Sequence, residues 1–297
     1  MTLEQLRIFA AVAEREHVTQ AASVLKLTQA AVSASIAALE SQHGVKLFDR
    51  IGRGVALTTA GRQFLPEARA LLARAAAAEA VLGDFGGLKR GRVKIHASQA
   101  MAGYFLPSVL AGFRKQYPGV EVELAIGNTA QVARALRAGE AELGFVEGPL
   151  EAADLAVEAV GGERMGLFAP AGHPWARGGG LTPGDLRRAA WVFREEGSGT
   201  RETLLAALAE RGIDAAGLNI VLTLPSNEAV REAVVAGAGV ACLVPMVCAN
   251  ALKAGLLCRG NTLLPVRLFH AVRQKERYAS QAAAAFVAAA KARPKVM

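Results

Sequence analysis

The segment from His17 to Glu40 reads HVTQAASVLKLTQAAVSASIAALE and contains TQAA twice, nine residues apart. Repeat architectures have periods of roughly 20–50 residues, so this doublet is not one of them. Threonine is a favoured helix N-cap because its hydroxyl accepts an orphan backbone N–H of the first turn. Two caps this close together predict two helices joined by a very tight turn. Thr19 is then expected to open a helix of about two turns that ends near Lys26. Thr28 opens the next, with Leu27 and Val32 at the N′ and N4 positions of a hydrophobic staple. Ahead of both, Thr2-Leu3-Glu4-Gln5 reads as a capping box, followed by Leu6, Phe9, Ala10 and Ala13 at helical spacing. Three short helices with the last two tightly joined form a helix-turn-helix pattern.

In the third helix Val32, Ile36 and Leu39 make the apolar stripe that packs on the other two. Gln29 and Ser33 lie near its N-terminal end, and Ala30 and Ala34 turn away from the stripe. These side chains suit a helix that enters a DNA major groove N-terminus first. Gln pairs with adenine, Ser serves either base, and Ala methyls meet thymine methyls. The competing reading is a small helical bundle whose exposed face is merely short-chained. The following KLFDRIGRGVALTTAGRQFL alternates basic and apolar residues around Gly52-Arg53-Gly54, as a β-hairpin wing beside a recognition helix would. Such a wing can reach phosphates or the minor groove. The net charge of +8 permits a polyanionic partner without showing one. Locally, Lys46, Arg50, Arg53 and Arg62 gather against Asp49 alone, and a second basic cluster runs from Arg267 to Lys295.

The run LRIFAAVAEREHVTQAASVLKLTQAAVSASIAALESQHGVKLFDRIGRGVALTTAG closely resembles the N-terminal domain of LysR-type transcriptional regulators, without gaps. The resemblance implies a winged helix-turn-helix followed by a long linker helix used for dimerisation. It matches Thr28, Gln29, Ser33 and Arg53 to positions that touch double-stranded promoter DNA; Ala30, Ala34 and Arg50 complete the expected DNA-binding set. Many family members carry Arg where this chain has Ala34, which removes a potential phosphate or guanine contact. Thr58 to Phe85 reads as the linker helix, with Phe64, Leu65, Ala68, Leu71, Leu72, Ala75 and Leu82 approximating one apolar face. A lone helix cannot bury such a face, so a partner helix is expected, in a homodimer or homotetramer. The alternative is that the helix lies on its own domain. Gly83, Gly86, Gly87 and Gly91 end it as a hinge.

From Arg92 strands alternate with helices: VKIHAS, VEVELAIG, AELGFVEG, MGLFAP, WVFRE, NIVLTL, GVACLVP and PVRLFHAV are strand-like. This pattern predicts parallel sheets covered by helices, with ligands beyond the C-terminal ends of the strands. The strands run into Ser98-Gln99, Asn128-Thr129, Glu147-Gly148, Gly197-Ser198-Gly199-Thr200 and Ser226-Asn227. Four of these five loops precede helices, where free N–H groups attract anions. Taken singly, each is as readily an ordinary cap. Together they predict an effector site of Ser98, Gln99, Asn128, Thr129, Glu147, Ser198, Gly199, Thr200, Arg201 and Ser226. GNTAQVARALRAGEAELGFVEGP and FREEGSGTRETL extend the resemblance to the effector domain of the same family, in its CysL-like and CbbR-like branch. That implies two Rossmann-like subdomains, as in periplasmic binding proteins, and a small anionic metabolite such as a sulfur oxyanion. Glu147, Glu195 and Glu196 conflict with an anion unless they bind amides or hold a cation such as Arg201.

The fold class expected is thus α/β with an N-terminal all-α winged helix-turn-helix. The expected domains are residues 1–57 (winged helix-turn-helix), 58–90 (linker, dimerisation helix and hinge) and 91–297 (effector binding). The last divides into a subdomain of residues 91–163 plus 266–297 and another of 164–265. Catalysis is not expected. The Gly-rich loop lacks the phosphate-loop pattern and G-x-S-x-G, with no His nearby as a base. Three cysteines form no CxxC pair and five histidines no HxxxH, so neither metal nor cofactor is expected. No signal peptide is evident, which gives a cytoplasmic expectation. Ala233 to Leu252 is twenty residues without a charge, but Gly237, Gly239, Pro245 and Asn250 divide it, so no membrane partner is expected. The rival reading is a periplasmic-type small-molecule-binding protein without a DNA role.

Overall fold

The computed structural model describes residues 1–52, 54–85, 91–148, 150, 152–178, 180–262 and 264–293. It divides into two compact units, Met1–Phe85 with Arg137–Glu140, and Gly86–Leu136 with Ala141–Met297.

The first unit begins with α1 (Leu3–Arg15), α2 (Val18–Leu25) and α3 (Gln29–His43). Thr2 forms the expected capping box with Gln5, and Thr28 caps α3 by accepting the Ala31 amide. Thr19 does not cap. The second helix starts at Val18 behind His17, and the Thr19 hydroxyl instead donates to Gln29 Oε1 at 3.2 Å. The repeat is therefore one cap and one brace. Strands β1 (Phe48–Ile51) and β2 (Gly54–Leu57) pair antiparallel from Phe48↔Leu57 to Ile51↔Gly54. Gly54 is required where it stands, because a Cβ there would lie 2.8 Å from the Glu16 carbonyl. The hairpin is tied to the helices by Val55 N–H donating to Glu16 O, and by a buried carboxylate. Glu40 accepts the Leu47 amide at 2.8 Å, the Phe48 amide at 3.2 Å and Lys46 Nζ at 2.6 Å. Burial alone would raise the Glu40 carboxyl, but these donors hold it below the usual carboxylate range.

Helix α4 (Thr59–Asp84) is capped by Thr58, which accepts the Gly61 amide. Its first half packs on its own unit. Phe64, Leu65, Ala68 and Leu72 join Leu6, Phe9, Leu39 and Leu47 in one cluster, and the Phe9 and Phe64 rings lie 5.1 Å apart. Leu71, Leu82 and Phe85 stay exposed, the last two at 73% and 87%. The start of this helix is thus covered within its own unit, as the alternative reading expected.

The second unit holds two lobes. In the first, β3 (Gly91–Ser98), α5 (Leu106–Gln116), β4 (Val120–Gly127), α6 (Thr129–Ala138), β5 (Leu143–Glu147) and β6 (Leu155–Arg164) precede the crossing to the second. That second lobe contains β7 (Gly166–Pro170), α7 (Pro183–Arg188), β8 (Ala190–Arg194), α8 (Gly199–Ala209), β9 (Asn219–Leu224) and α9 (Asn227–Val235). It continues with β10 (Ala241–Leu243), α10 (Pro245–Lys253) and β11 (Leu257–Gly260), and the chain returns as β12 (Val266–Gln274) and α11 (Gln281–Lys291). The five-stranded sheet has the order β4-β3-β5-β12-β6. β3 runs parallel to β4 and β5, while β12 is antiparallel to both β5 and β6. In the second lobe β10-β7-β11 is antiparallel and β8-β9 parallel. The sheets are therefore mixed, not purely parallel as the alternation suggested. β6 leaves the first lobe and β12 re-enters it, so the two crossing strands lie side by side with opposite senses.

Each lobe has its own core, one around Phe113, Phe145 and Phe286, the other around Phe168 and Trp191. The uncharged Ala233–Leu252 segment is broken into the end of α9, β10 and most of α10, with Gly237 at φ +86° and Gly239 at φ +158° in the turn. Among the described residues no single helix is long and apolar enough to cross a membrane.

Candidate functional site

In the first unit the face of α3 is set by its stripe. Val32 and Leu39 are buried, at 0% and 1%, and Ile36 is half-buried. Thr28, Gln29, Ala30, Ser33 and Ala34 are all exposed, as is Arg50 on β1. Arg53 lies outside the described residues. Because Thr19 donates to the carbonyl oxygen of the Gln29 side-chain amide, the –NH2 group of that amide is directed by α2 instead of rotating freely. An amide –NH2 held in one direction is a donor of the kind that adenine N7 accepts, at a lower entropy cost than a freely rotating one.

In the second unit the predicted loops meet between the lobes. Ser98 ends β3 and donates to Glu147 Oε2 at the end of β5; both are buried. Gln99 spans the lobes, its Nε2 donating to Pro225 O at 2.8 Å and its Oε1 accepting the Asn227 amide at 3.1 Å. Asn128 does the same from just before α6, donating to Glu196 O at 3.2 Å and Glu195 Oε1 at 3.4 Å. Thr129 Oγ1 is buried and has no hydrogen-bond partner among the described residues. Ser198 precedes α8 without capping it, at 3% exposure. Gly199 permits close approach, since a Cβ there would lie 2.2 Å from Glu147 O and 2.9 Å from Thr129 Oγ1. Ser226 caps α9 through the Ala229 amide, an ordinary structural cap.

The charges resolve differently from the sequence expectation. Arg201 does not neutralise the carboxylates. It lies over the Phe193 ring at 5.5 Å and donates to Arg194 O. Arg194 and Arg267 take that role, and neither was singled out as a site residue. Arg194, at 4% exposure, pairs with Glu195 at 2.8 Å and also donates to Asn227 Oδ1. Burial would raise the Glu195 carboxyl, but Arg194 and then Asn128 pull it below its usual value. Arg267 is fully buried on β12. Its Nη1 donates to Thr200 Oγ1 at 2.7 Å, and its Nη2 lies 3.5 Å from Glu147 Oε1. Part of the basic tail cluster is thus committed within the chain. Arg267 points inward, Lys291 pairs with Glu158, and Arg293 lies over Phe105. A signal was present in VRLFHAV, where strand alternation puts Arg267 on the face of Phe269 and Ala271.

A helix-turn-helix unit with an exposed reading face, followed in the chain by a two-lobed α/β unit with a polar cleft, defines a ligand-responsive regulator of transcription. Residues 3–62 match the family described as bacterial regulatory helix-turn-helix protein, lysR family, and residues 86–295 match the LysR substrate binding domain. The chain belongs to the LysR family and is a transcriptional regulator with an effector-binding domain. It is 34% identical over 293 residues to the uncharacterized HTH-type transcriptional regulator YeiE of Escherichia coli (strain K12), covering 97% of this chain and 96% of that protein. It is 34% identical to CbbR of Sinorhizobium medicae (strain WSM419) over 86% of this chain and 81% of the other. With CysL of Bacillus subtilis (strain 168) it shares 32% identity, over 91% and 88%. CbnR complexed with its target DNA has the same fold, with a TM-score of 0.70, 22% identity and coverage of 98% and 99%. The regulatory domain of Synechocystis PCC6803 CcmR in complex with 2-PG matches with a TM-score of 0.63, 25% identity and coverage of 68% and 97%.

Proposed function

We propose that this regulator binds promoter DNA through α3 and its wing, and that a small anion between the lobes of its effector domain modulates the binding. The observation that carries the reading is a set of four buried hydroxyls from two lobes: Ser198 and Thr200 stand at the start of α8, Thr129 Oγ1 faces Gly199, and Ser98 donates to Glu147, whose carbonyl faces the same glycine. A helix N-terminus among hydroxyl donors favours an anionic group. The 2-PG bound to the CcmR regulatory domain supports this class, and the likeness to CysL supports testing a sulfur oxyanion. Residues 1–57 are assigned to DNA reading, 58–90 to linker and hinge, and 91–297 to effector sensing. Relatives named as transcriptional regulators support a non-enzymatic role, placed in the cytoplasm where the promoter is.

The exposed end of α4 is assigned to self-association. Leu82→Glu tests it better than Leu72→Glu, because Leu72 also packs within its own unit. A dimer would set two α3 helices on successive major grooves, about 34–36 Å apart, and favour an inverted repeat. The deciding experiment is fluorescence anisotropy on promoter fragments with added anions. Gln29→Ala should cost about 1–3 kcal/mol on the specific site and little on random DNA. Ser98→Ala and Thr200→Ala should each weaken the anion response several-fold while leaving DNA affinity without the anion near wild type. Unchanged anion response in both variants would reduce these hydroxyls to structural roles.

A further inference from the structure

Arg267 is the second residue of β12. Register with β6 sets it directly opposite Glu163, and register with β5 sets Phe269 opposite Glu147, so a carboxylate flanks it on either neighbouring strand. Each of the two crossing strands sends one charged side chain to a helix start in the second lobe. Arg267 reaches Thr200 in the first turn of α8, and Glu163 accepts the Met246 amide in the first turn of α10.

The guanidinium has five N–H donors. One is used on Thr200. Nη2 faces Glu147 at 3.5 Å without hydrogen-bond geometry, and neither Nη2 nor Nε has a hydrogen-bond partner among the described residues. Nε and Nη2 share one edge of the guanidinium plane, the edge that takes two oxygens of an oxyanion side by side. Buried polar groups in folded proteins are hydrogen-bonded in the large majority, so two uncommitted donors on a side chain with no exposure ask for a partner. Thr129 Oγ1, also buried and without a partner among the described residues, lies beside the same helix start.

We propose that Arg267 determines ligand specificity in this cleft by receiving a small oxyanion on its Nε and Nη2 edge. Thr129, Ser198 and the first-turn amides of α8 supply further donors. Glu147 is the internal counter-ion, and the oxyanion displaces it from the guanidinium. The assignment rests on the cleft being the effector site, and it adds the ligand's chemistry: a compact head with at least two anionic oxygens on one centre. Free inorganic oxyanions and phosphomonoesters share that head. The competing carboxylate sets the affinity, because an entering anion must replace an attraction that the folded chain already makes. Thr200 then has a second role. It holds Nη1 from the other lobe and so fixes the plane in which the free edge lies.

The test is titration calorimetry of the full chain with sulfite, inorganic phosphate and 2-PG in separate arms, for wild type and three variants. Wild type should bind at least one of them, and the arm that binds best tells a free oxyanion from a phosphomonoester. Arg267→Lys, which offers a point charge without the paired edge, should weaken that ligand at least about tenfold. The double variant Arg267→Gln with Glu147→Gln removes both charges together, so that Glu147 is not left as a buried ion facing no cation, and should abolish measurable binding. Glu147→Gln alone removes the competitor and should tighten binding several-fold. Should the double variant lose its near-ultraviolet signal from Trp175 and Trp191, the two single variants decide. Equal affinities in wild type and Arg267→Lys, or weaker binding in Glu147→Gln, overturn the role of Arg267 and leave the cleft reading standing. Wild type that binds none of the three overturns the oxyanion class and this assignment with it.

Discussion

Glu40 is where the recognition helix holds its wing, and its replacement isolates that linkage. Its Oε1 accepts two amides and its Oε2 the Lys46 ammonium. Glutamine keeps an acceptor for the amides but makes both bonds neutral. Hydrogen bonds to charged groups contribute about 1.5–3 kcal/mol and neutral ones about 0.5–1.5, so Glu40→Gln should cost the hairpin about 2 kcal/mol. Lys46 adds little, since its side chain is 76% exposed and the pair is screened by water. Glu40→Ala strands the Leu47 and Phe48 amides without an acceptor and should cost about 3–5 kcal/mol. Both tryptophans lie in the effector domain, so fluorescence does not report this region. Hydrogen exchange of the peptide around Leu47 and Phe48 does. A loss of about 2 kcal/mol appears there as roughly 30-fold faster exchange. The folded carboxyl is lowered, so the unfolded form binds more protons over the intervening pH range and stability rises with pH. The protection should be complete above the unfolded value near 4.5 and lost as pH falls through the lowered folded value, with Glu40→Gln showing no such slope. Equal exchange in wild type and Glu40→Gln, with the same pH profile, would refute the reasoning.

Thr19→Ala should lower specific DNA affinity several-fold and leave binding to random DNA unchanged, read by anisotropy, because it frees Gln29 without touching phosphates; an equal loss on both would make Thr19 merely structural. Burial pushes Cys242 and Cys248 up to about 12, so neither thiol should react with a disulfide reagent at pH 8 in the native chain, whereas the less buried Cys258 reacts first. Three equal and fast reactions would contradict that burial. Gly199→Ala forces a methyl toward Glu147 O and should cost about 1–3 kcal/mol, seen as a lower melting temperature of the tryptophan signal. An unchanged melting temperature would mean that α8 can move away from β5 freely.

What the chain showed by itself follows the reach of each physical signal. Thr2, Thr28 and Thr58 each cap the helix that follows within three residues, so the first unit was legible almost throughout. Thr19 stands in the same TQAA string as Thr28, yet its hydroxyl goes to a residue ten positions on, which local spacing does not reveal. β6 escaped because LAVEAVGGER carries two glycines and no clean alternation, and α11 because QAAAAFVAAAK offers no polar face to set its period. The loops that line the cleft were readable as helix starts, but their charge balance was not: it depends on cross-strand partners distant in sequence. Arg267 is the instructive case. In the first half of β12 Val266 and Leu268 are exposed, each at 49%, while Arg267, Phe269 and Ala271 turn inward. Alternation with apolar residues outside and a cation inside inverts the expected pattern of a half-buried strand. Such an inversion has an energetic cost unless a carboxylate or a ligand meets the charge, and Glu147 meets only part of it. A sequence pattern that disagrees with its own burial is therefore the sign to follow toward a candidate binding site in this chain, and it leads to the strand pair that links the two lobes.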